Sequence, residues 1–169
     1  MHELGGAFNE KGRFGGWDGD VRSVAFSGDG KTLVAAGGTS NYDEAYFVDL
    51  SSMRGRWAPW ARHQHLLTGI AVSPDGRIVA VNCKKDLLVW ELDAREIVYE
   101  NENSLPQQVQ CVAFSRDGKT LAVGCGGDKR DESGALSIWE TAPWQSRWID
   151  SSATTNGIYT IAFSPRRLS

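Results

Sequence analysis

The feature of this sequence that most constrains its fold is a short motif that occurs four times without gaps. In each copy two apolar residues, three positions apart, are followed by Ala, then Phe or Val, then Ser. The copies begin at Val21, Leu67, Val109 and Ile158, and an Asp-Gly pair follows the first three, at Asp29-Gly30, Asp75-Gly76 and Asp117-Gly118. Self-similarity at a period of about 40–45 residues indicates a repeat architecture. We therefore expect the chain to consist of copies of one small unit.

Two further apolar runs follow each complete motif. The second run covers residues 32–36, 78–81 and 120–123, and the third covers residues 45–50, 87–92 and 136–141. An aromatic residue stands eight positions after the acidic residue of each third run, at Trp57, Tyr99 and Trp148. Short β-branched and aromatic runs, separated by Asp-Gly turns that tolerate positive φ, predict strands and not helices. Each unit is thus predicted to form four antiparallel strands, which we name a, b, c and d.

The predicted strands are mostly apolar or small on both faces. In the first strand we expect Val24 and Phe26 on one face, and Val21 and Ala25 on the other. A sheet that is apolar on both faces must lie between two neighbours, and stacked four-stranded units at this period are typical of a β-propeller. The predicted fold class is all-β, a partial β-propeller of four-stranded antiparallel blades with three blades plus one strand. We expect an irregular segment over residues 1–17, repeats over 18–165 with units starting near 21, 67, 109 and 158, and an end segment over 166–169.

The repeated Ala-Phe-Ser-x-Asp-Gly-Lys-Thr-Leu pattern, with Trp90-Glu91 and Trp139-Glu140 closing strand c, resembles the WD-repeat family. The resemblance covers residues 18–165 and implies a non-catalytic scaffold that binds protein partners. The sequence departs from the family pattern in two places. Val48-Asp49 replaces Trp-Asp in the first unit, and the Gly-His pair expected before strand a is missing, with only His63 near that position. The family's buried tetrad of Trp, Ser, His and Asp is therefore not expected here.

Composition excludes several classes of partner. The net charge is −3 with both signs interspersed, so the sequence predicts no nucleic-acid partner. It holds no run of about 18 apolar residues and no secretory signal at its start, so we expect no membrane partner. The cysteines Cys83, Cys111 and Cys125 show no metal-type spacing, which favours a reducing, cytoplasmic location.

The sequence also offers little for catalysis. An active site in a propeller channel would need polar residues on strand a, where the repeat places Ser23, Gly69, Cys111 and Thr160. The pair His63 and His65 lacks further metal ligands, and the glycines at 124–127 lack the Lys-Ser/Thr of a phosphate-binding loop. We therefore expect no catalytic residue, no metal and no cofactor.

Spacing between the units predicts one variable face. The distance from the acidic residue of strand c to the next strand a is 18 residues in every unit, and that from strand a to the turn glycine is 9. The distance from that glycine to the acidic residue is 19, 15 and 22, so the variation falls in the b–c loop. In a meander the b–c and d–a loops share one face, and variable loops either bind a partner or merely tolerate insertion. The residues predicted to bind a protein partner on this face are Trp17, Tyr42, His63, Lys84, Lys85, Lys129 and Arg130.

Two alternatives stay open. Tryptophans at 17, 60 and 144 could serve a carbohydrate-binding or small-ligand-binding propeller. The repeat count is also incomplete, with four copies of strand a and three complete sets of b, c and d, which cannot close a ring. The chain is therefore expected to be a fragment of a longer propeller without independent function, a homodimer that closes a ring of about seven blades, or a segment completed by another polypeptide.

Overall fold

A computed structural model describes residues 20–39, 43–52, 54–57, 67–83, 85–94, 96–101, 105–126 and 133–164. These residues form twelve strands and no helix. The strands are β1 (Asp20–Phe26), β2 (Thr32–Gly38), β3 (Asp43–Asp49), β4 (Arg54–Trp57), β5 (Leu67–Val72), β6 (Ile78–Cys83), β7 (Asp86–Glu91), β8 (Glu96–Asn101), β9 (Val109–Phe114), β10 (Thr120–Cys125), β11 (Gly134–Thr141) and β12 (Trp144–Thr154). Within the same residues, no helix is long and apolar enough to cross a membrane.

The strands form three antiparallel sheets of four strands each. In every sheet the spatial order follows the chain order, β1 to β4, β5 to β8 and β9 to β12. Each sheet is thus a four-stranded meander, and we refer to the three as the first, second and third blades. The predicted all-β architecture of propeller blades is confirmed.

The core of the protein lies between adjacent blades. One buried cluster joins Val34 and Phe47 of the first blade to Ile70 and Trp90 of the second. The other joins Val89 of the second blade to side chains of the third, including Val109, Leu121 and Trp139. Burial of each large apolar side chain stabilises the fold by about 1.5–3 kcal/mol, so the blades hold one another. This packing explains why strands with two apolar faces form this fold.

A bulge at the second residue of strand a sets which side chains share a face. In β1 the pairing with β2 shifts between Val21 and Ser23, and the same shift occurs in β5 and β9. The extra residue changes the alternation of the strand. The expectation that Val21 shares a face with Ala25 is therefore wrong. In β5 the equivalents of Val21, Val24 and Phe26 are Leu67, Ile70 and Val72, which lie together in one buried cluster. The equivalent of Ala25 is Ala71, which lies in the other cluster.

Aromatic rings fill the junction of the second and third blades. Tyr99 on β8 makes an edge contact with Trp139, with ring centroids 5.8 Å apart, and stacks on Trp144 at 5.8 Å. Trp144 also meets Phe114 at 6.4 Å. The fourth-strand aromatic of the second unit thus contacts the next blade.

The third blade lacks the family's tetrad, in agreement with the sequence. Leu105, four residues before β9 as His63 is before β5, is buried in the apolar cluster with Trp139. The indole Nε1 of Trp139 and the hydroxyl of Ser137 are buried, and neither has a hydrogen-bond partner among the described residues. At the third-blade position that corresponds to His63, the chain therefore has the apolar side chain of Leu105 in place of a hydrogen-bonding histidine.

The predicted fourth copy of strand a is not a strand. Residues 157–164 are described, but they belong to none of the three sheets. The Ile158 N–H donates to the Cys125 carbonyl at 3.1 Å, so the segment lies along the third blade. A strand requires a neighbouring strand for its ladder, and the described residues supply none to this segment. The expectation of three blades plus one strand is corrected to three blades plus a docked segment.

Candidate functional site

The Ser-x-Asp-Gly motif forms the turn between strands a and b. In the first blade the Ser27 hydroxyl donates to Asp29 at 2.6 Å and accepts from the Thr32 N–H at 2.9 Å. The Asp29 carboxylate also accepts from the Lys31 N–H at 3.0 Å. Gly30 has a φ of 70°, in the left-handed region that favours glycine. The side chains thus close the turn by hydrogen bonds to its own backbone.

The same hydrogen bonds recur in the other two blades. Ser73 donates to Asp75 at 2.5 Å and Ser115 donates to Asp117 at 2.7 Å, and the following glycines, Gly76 and Gly118, have φ values of 74° and 69°. In all three turns the serine hydroxyl beside the aspartate holds the pKa of that carboxyl below its usual value, with help from the backbone N–H two residues on. The structure places these repeat positions in turns and Trp90 and Trp139 in the core, where they serve the fold.

The thiols of half-buried Cys111 and buried Cys125 are poor candidates for chemistry. Burial raises the pKa of Cys111, and burial, with Cys111 nearby, raises the pKa of Cys125 to about 12. Both thiols are therefore protonated at neutral pH, and the thiol form is a weak nucleophile. In the described part of the chain, no three His, Cys, Asp or Glu side chains lie close enough together to hold a metal ion.

The connections between strands differ in length on the two sides of the blades. The a–b turns hold five residues in every blade, at 27–31, 73–77 and 115–119. The b–c connections hold four, two and eight residues, at 39–42, 84–85 and 126–133. The b–c connections thus vary most in length, as the spacing predicts, whereas the c–d connections hold four, four and two residues, at 50–53, 92–95 and 142–143. We name the side that carries the b–c and d–a connections the loop face.

One of the predicted partner-binding residues falls in the described part of the chain. Lys85 lies in the b–c connection of the second blade and is exposed. The remaining predicted residues, which lie outside the described residues, are Trp17, Tyr42, His63, Lys84, Lys129 and Arg130. Of the tryptophans considered for sugar binding, Trp144 packs against Tyr99 and Phe114 between blades, which favours a packing role over a ligand platform.

The first blade exposes an apolar surface that the other blades bury. Val21, Val24 and Phe26 on β1 are 54%, 57% and 61% exposed. Their repeat equivalents on β5 are buried at 2%, 6% and 8%, because they pack against the first blade. We name the three β1 side chains the first-blade face. At the opposite end, Trp148 and Ile149 of β12 are 48% and 44% exposed.

A cleft of about 490 Å³ lies between the first and second blades, on the side opposite the loop face. The residues that line it include the apolar Phe47 and Leu92 and the charged Asp49, Arg54 and Asp93. Sequence reasoning missed this cleft because it forms where the c–d turns of two blades meet. The Asp49 carboxylate is already engaged, since it accepts hydrogen bonds from the Ser51 hydroxyl and from two backbone N–H groups.

Comparison with known proteins matches the repeats. The model of the family "WD domain, G-beta repeat" matches residues 8–42 and 100–140. A "WD repeat-containing protein 26 homolog" of Drosophila melanogaster is 32% identical over 79 residues, which are 40% of this chain and 12% of that protein. "Telomerase protein component 1" of Mus musculus is 32% identical over 63 residues, which are 37% of this chain and 2% of that protein. The chain thus spans a small part of these relatives.

A solved structure shares the fold. "Kuenenia stuttgartiensis Hydrazine Synthase" superposes with a TM-score of 0.66 over 80% of this chain and 37% of that chain, at 20% sequence identity. At this identity the likeness concerns the fold alone. The two family matches and the repeated four-stranded blades agree on one point. Residues 8–42 and 100–140 of this chain match WD-type repeats.

Proposed function

We propose that this chain is a non-catalytic scaffold that binds a protein partner through its loop face. WD-repeat proteins generally act as protein-interaction scaffolds. The observation that carries the proposal is the contrast between a–b turns of constant length and b–c connections of four, two and eight residues. Loops on a rigid scaffold can change without disturbing the sheets, so recognition residues concentrate in them. The basic side chains proposed for that contact are exposed Lys85 and, in the longest connection, Lys129 and Arg130, which stand among Asp128, Asp131 and Glu132.

The absence of catalysis is part of this proposal. The turn aspartates are committed to hydrogen bonds that hold their turns, and the thiols of Cys111 and Cys125 have raised pKa values. Free cysteines, as found at both positions, persist in a reducing compartment, so we propose a cytoplasmic location. We propose neither a membrane nor a nucleic-acid partner, given the interspersed charge of −3.

The open ends of the blade stack support a second contact. The first-blade face has the side chains that the second and third blades use against their neighbours, yet it is exposed. A further blade would bury it in the same way, either from a second copy that closes a ring or from the rest of a longer chain. These two sources predict different masses in solution, because only a second copy would double the mass of the chain.

The loop face is tested by reversing its charge. Lys129→Glu with Arg130→Glu is compared with the wild type in proximity labelling in the source cells, with labelled proteins identified by mass spectrometry. We expect specific partners to be recovered about 10-fold less by the variant, because charge reversal at a contact opposes association. The matched control, Lys31→Glu with Lys119→Glu, makes the same charge change in the a–b turns and should leave recovery unchanged. Thermal midpoints of all three proteins establish that they are folded, and equal recovery by wild type and loop-face variant would reject this face.

A further inference from the structure

Residues Ile158–Ser164 repeat the strand a motif but lie outside every sheet. Their sequence, Ile-Tyr-Thr-Ile-Ala-Phe-Ser, parallels Val-Gln-Cys-Val-Ala-Phe-Ser over residues 109–115. In each blade the motif forms the first strand, and that strand has one ladder neighbour in its sheet, strand b. The fourth copy thus has the sequence of a strand whose normal neighbour is a strand b.

The segment already occupies the position of a first strand relative to the blade before it. Between the second and third blades, the Thr68 hydroxyl donates to the Val109 carbonyl at 2.7 Å. Between the third blade and the segment, the Cys111 thiol donates to the carbonyl of Ile158, the repeat equivalent of Val109, at 3.4 Å. The N–H of Ile158 also donates to the Cys125 carbonyl at 3.1 Å. The segment is therefore held by its backbone at its N-terminal end.

Glycines of the third blade make room for this contact. A Cβ on Gly124 would lie 2.7 Å from Ile158 Cγ2, and one on Gly126 would lie 2.2 Å from Gly157 Cα. The equivalents of Gly124, identified by their pairing with strand a, are Ala36 and Asn82 in the other blades. The third blade thus has a glycine where a Cβ would collide with Ile158, and the other two blades do not.

In the described part of the chain, no strand covers the outer side of the segment. Tyr159 is 66% exposed and Phe163 is 36% exposed, and none of the three sheets extends to the segment. A docked segment that has no ladder neighbour among the described residues presents backbone N–H and C=O groups that a strand can pair with. We propose that Ile158–Phe163 is a preformed edge that accepts one antiparallel β-strand from a protein partner. The inference goes beyond the loop-face proposal, because it names another surface and another mode of binding.

The three b strands define the chemistry of the partner strand. They carry short apolar runs, Thr-Leu-Val-Ala over residues 32–35, Ile-Val-Ala-Val over 78–81 and Thr-Leu-Ala-Val over 120–123. Such strands are buried on both faces and therefore use small or β-branched side chains without charge. The expected partner is an extended segment with four such residues, flanked by residues that keep it soluble. Its pairing would be antiparallel, as in the three blades.

The ladder of the third blade identifies the backbone group to remove. The Ser115 N–H donates to the Thr120 carbonyl at 2.8 Å. Hydrogen-bonded and non-hydrogen-bonded pairs alternate along an antiparallel ladder, so Ala113, which pairs with Ala122, occupies the next hydrogen-bonded position. Ala162 is the repeat equivalent of Ala113. Ala162→Pro therefore removes a donor aimed at the partner strand, and Ala162→Val keeps that donor.

The experiment uses the full chain and a peptide with the strand b sequence of residues 30–38, Gly-Lys-Thr-Leu-Val-Ala-Ala-Gly-Gly. We expect saturable binding by fluorescence anisotropy, and hydrogen exchange of the amides of residues 158–163 slowed about 10-fold when free peptide is at ten times Kd. Ala162→Pro should weaken binding about 10-fold or more, whereas Ala162→Val should not. A peptide carrying Val34→Pro, which lacks a ladder donor, should not bind.

Several results would overturn the proposal. One is unchanged exchange at residues 158–163 with saturating peptide, and another is equal binding to Ala162→Pro and wild type. A third is slow hydrogen exchange of the amides at 158–163 in the absence of peptide, when the protein has the mass of a dimer. The edge would then pair with a second copy and not with a partner protein. Exchange across β9 and β10 serves as the check that the third blade of each variant is folded. None of these results bears on capture through Lys129 and Arg130, so the two proposals fail separately.

Discussion

At the scale of single residues, a serine and an aspartate close each a–b turn together. The Asp-Gly pair alone predicts a tight turn, because both residues tolerate positive φ. The sequence does not reveal that the serine two residues earlier is the partner, since Ser-Asp contacts depend on the turn's three-dimensional path. In the second blade Ser73 is 3% exposed, donates to Asp75 and accepts from the Ile78 N–H at 2.9 Å. The hydroxyl therefore links the carboxylate to the start of strand b.

Removing this hydroxyl should lower stability and raise the pKa of Asp75. We expect Ser73→Ala to lose about 1–2 kcal/mol at neutral pH, because it removes the acceptor of the Ile78 N–H and one of the two hydrogen bonds to the Asp75 carboxylate. The wild-type pKa lies below the ordinary value of about 3.9. The stabilisation linked to that shift is therefore complete above pH 4 and is lost as pH falls through the folded-state pKa. Urea unfolding across pH and a carboxyl-carbon NMR titration of Asp75 measure the two effects.

Ser137→Ala is the matched control for Ser73→Ala. Ser137 is also buried, at 0% exposed, but its hydroxyl has no hydrogen-bond partner among the described residues. Removal of such a group relieves a desolvation penalty, so stability should stay the same or rise. A loss of stability for Ser137→Ala equal to that for Ser73→Ala would contradict the role assigned to the serine–aspartate pair.

At the scale of elements, the repeat predicts the strands well and the faces of strand a poorly. Runs of β-branched residues between turn signals place β5 and β9 at their observed first residues, Leu67 and Val109. The bulge at Arg22 and its equivalents was not predictable, because an extra residue in a ladder is visible only when both strands are aligned in space. The packing of Trp144 between blades was also not predictable, because no aromatic residue recurs at its position in the other units.

Tyr99 and Trp148 occupy equivalent positions on strand d but differ in what they contact. Tyr99 is held between Trp139 and Trp144 of the next blade, whereas Trp148 is 48% exposed. We expect Tyr99→Ala to destabilise by about 2 kcal/mol, through lost burial and lost ring contacts. Trp148→Ala should change stability by less than about 1 kcal/mol. Urea unfolding midpoints of the two variants measure these changes in stability. Equal losses of stability would show that the blade junction does not depend on Tyr99.

At the scale of the whole molecule, the sequence predicts the architecture. Three complete sets of strand motifs predict three blades, and the described residues form three four-stranded sheets. The docked position of residues 157–164 could not be predicted, because it depends on close approach to Gly124 and Gly126 and not on a ladder. The cleft near Asp93 is likewise a product of neighbouring turns. Sequence patterns within one β-strand carry no information about such contacts between blades.

Exposure of the first-blade face predicts self-association if a second copy supplies the missing blade. The chain has a mass of 18.5 kDa, and light scattering of the wild type should rise toward twice that mass with concentration. Val24→Asp with Phe26→Asp should keep the protein at the monomer mass, because it places charges where apolar side chains would be buried. The control is Ile97→Asp with Val98→Asp on β8, where residues 40% and 38% exposed lie away from the first-blade face. This control should associate as the wild type does.

Hydrogen exchange separates ring closure from strand binding at the other end of the stack. On the third blade, residues 158–163 occupy the place that the β1 strand of a second copy would take, since Ile158 is the repeat equivalent of Val21. Closure of a ring by a second copy must therefore displace the segment and speed exchange of its amides, whereas a partner strand slows it. A wild type that stays at 18.5 kDa at all concentrations would assign the first-blade face to another polypeptide or to the rest of a longer chain. Equal loss of association in the β8 control would instead mean that any exposed apolar pair on these blades drives the contact.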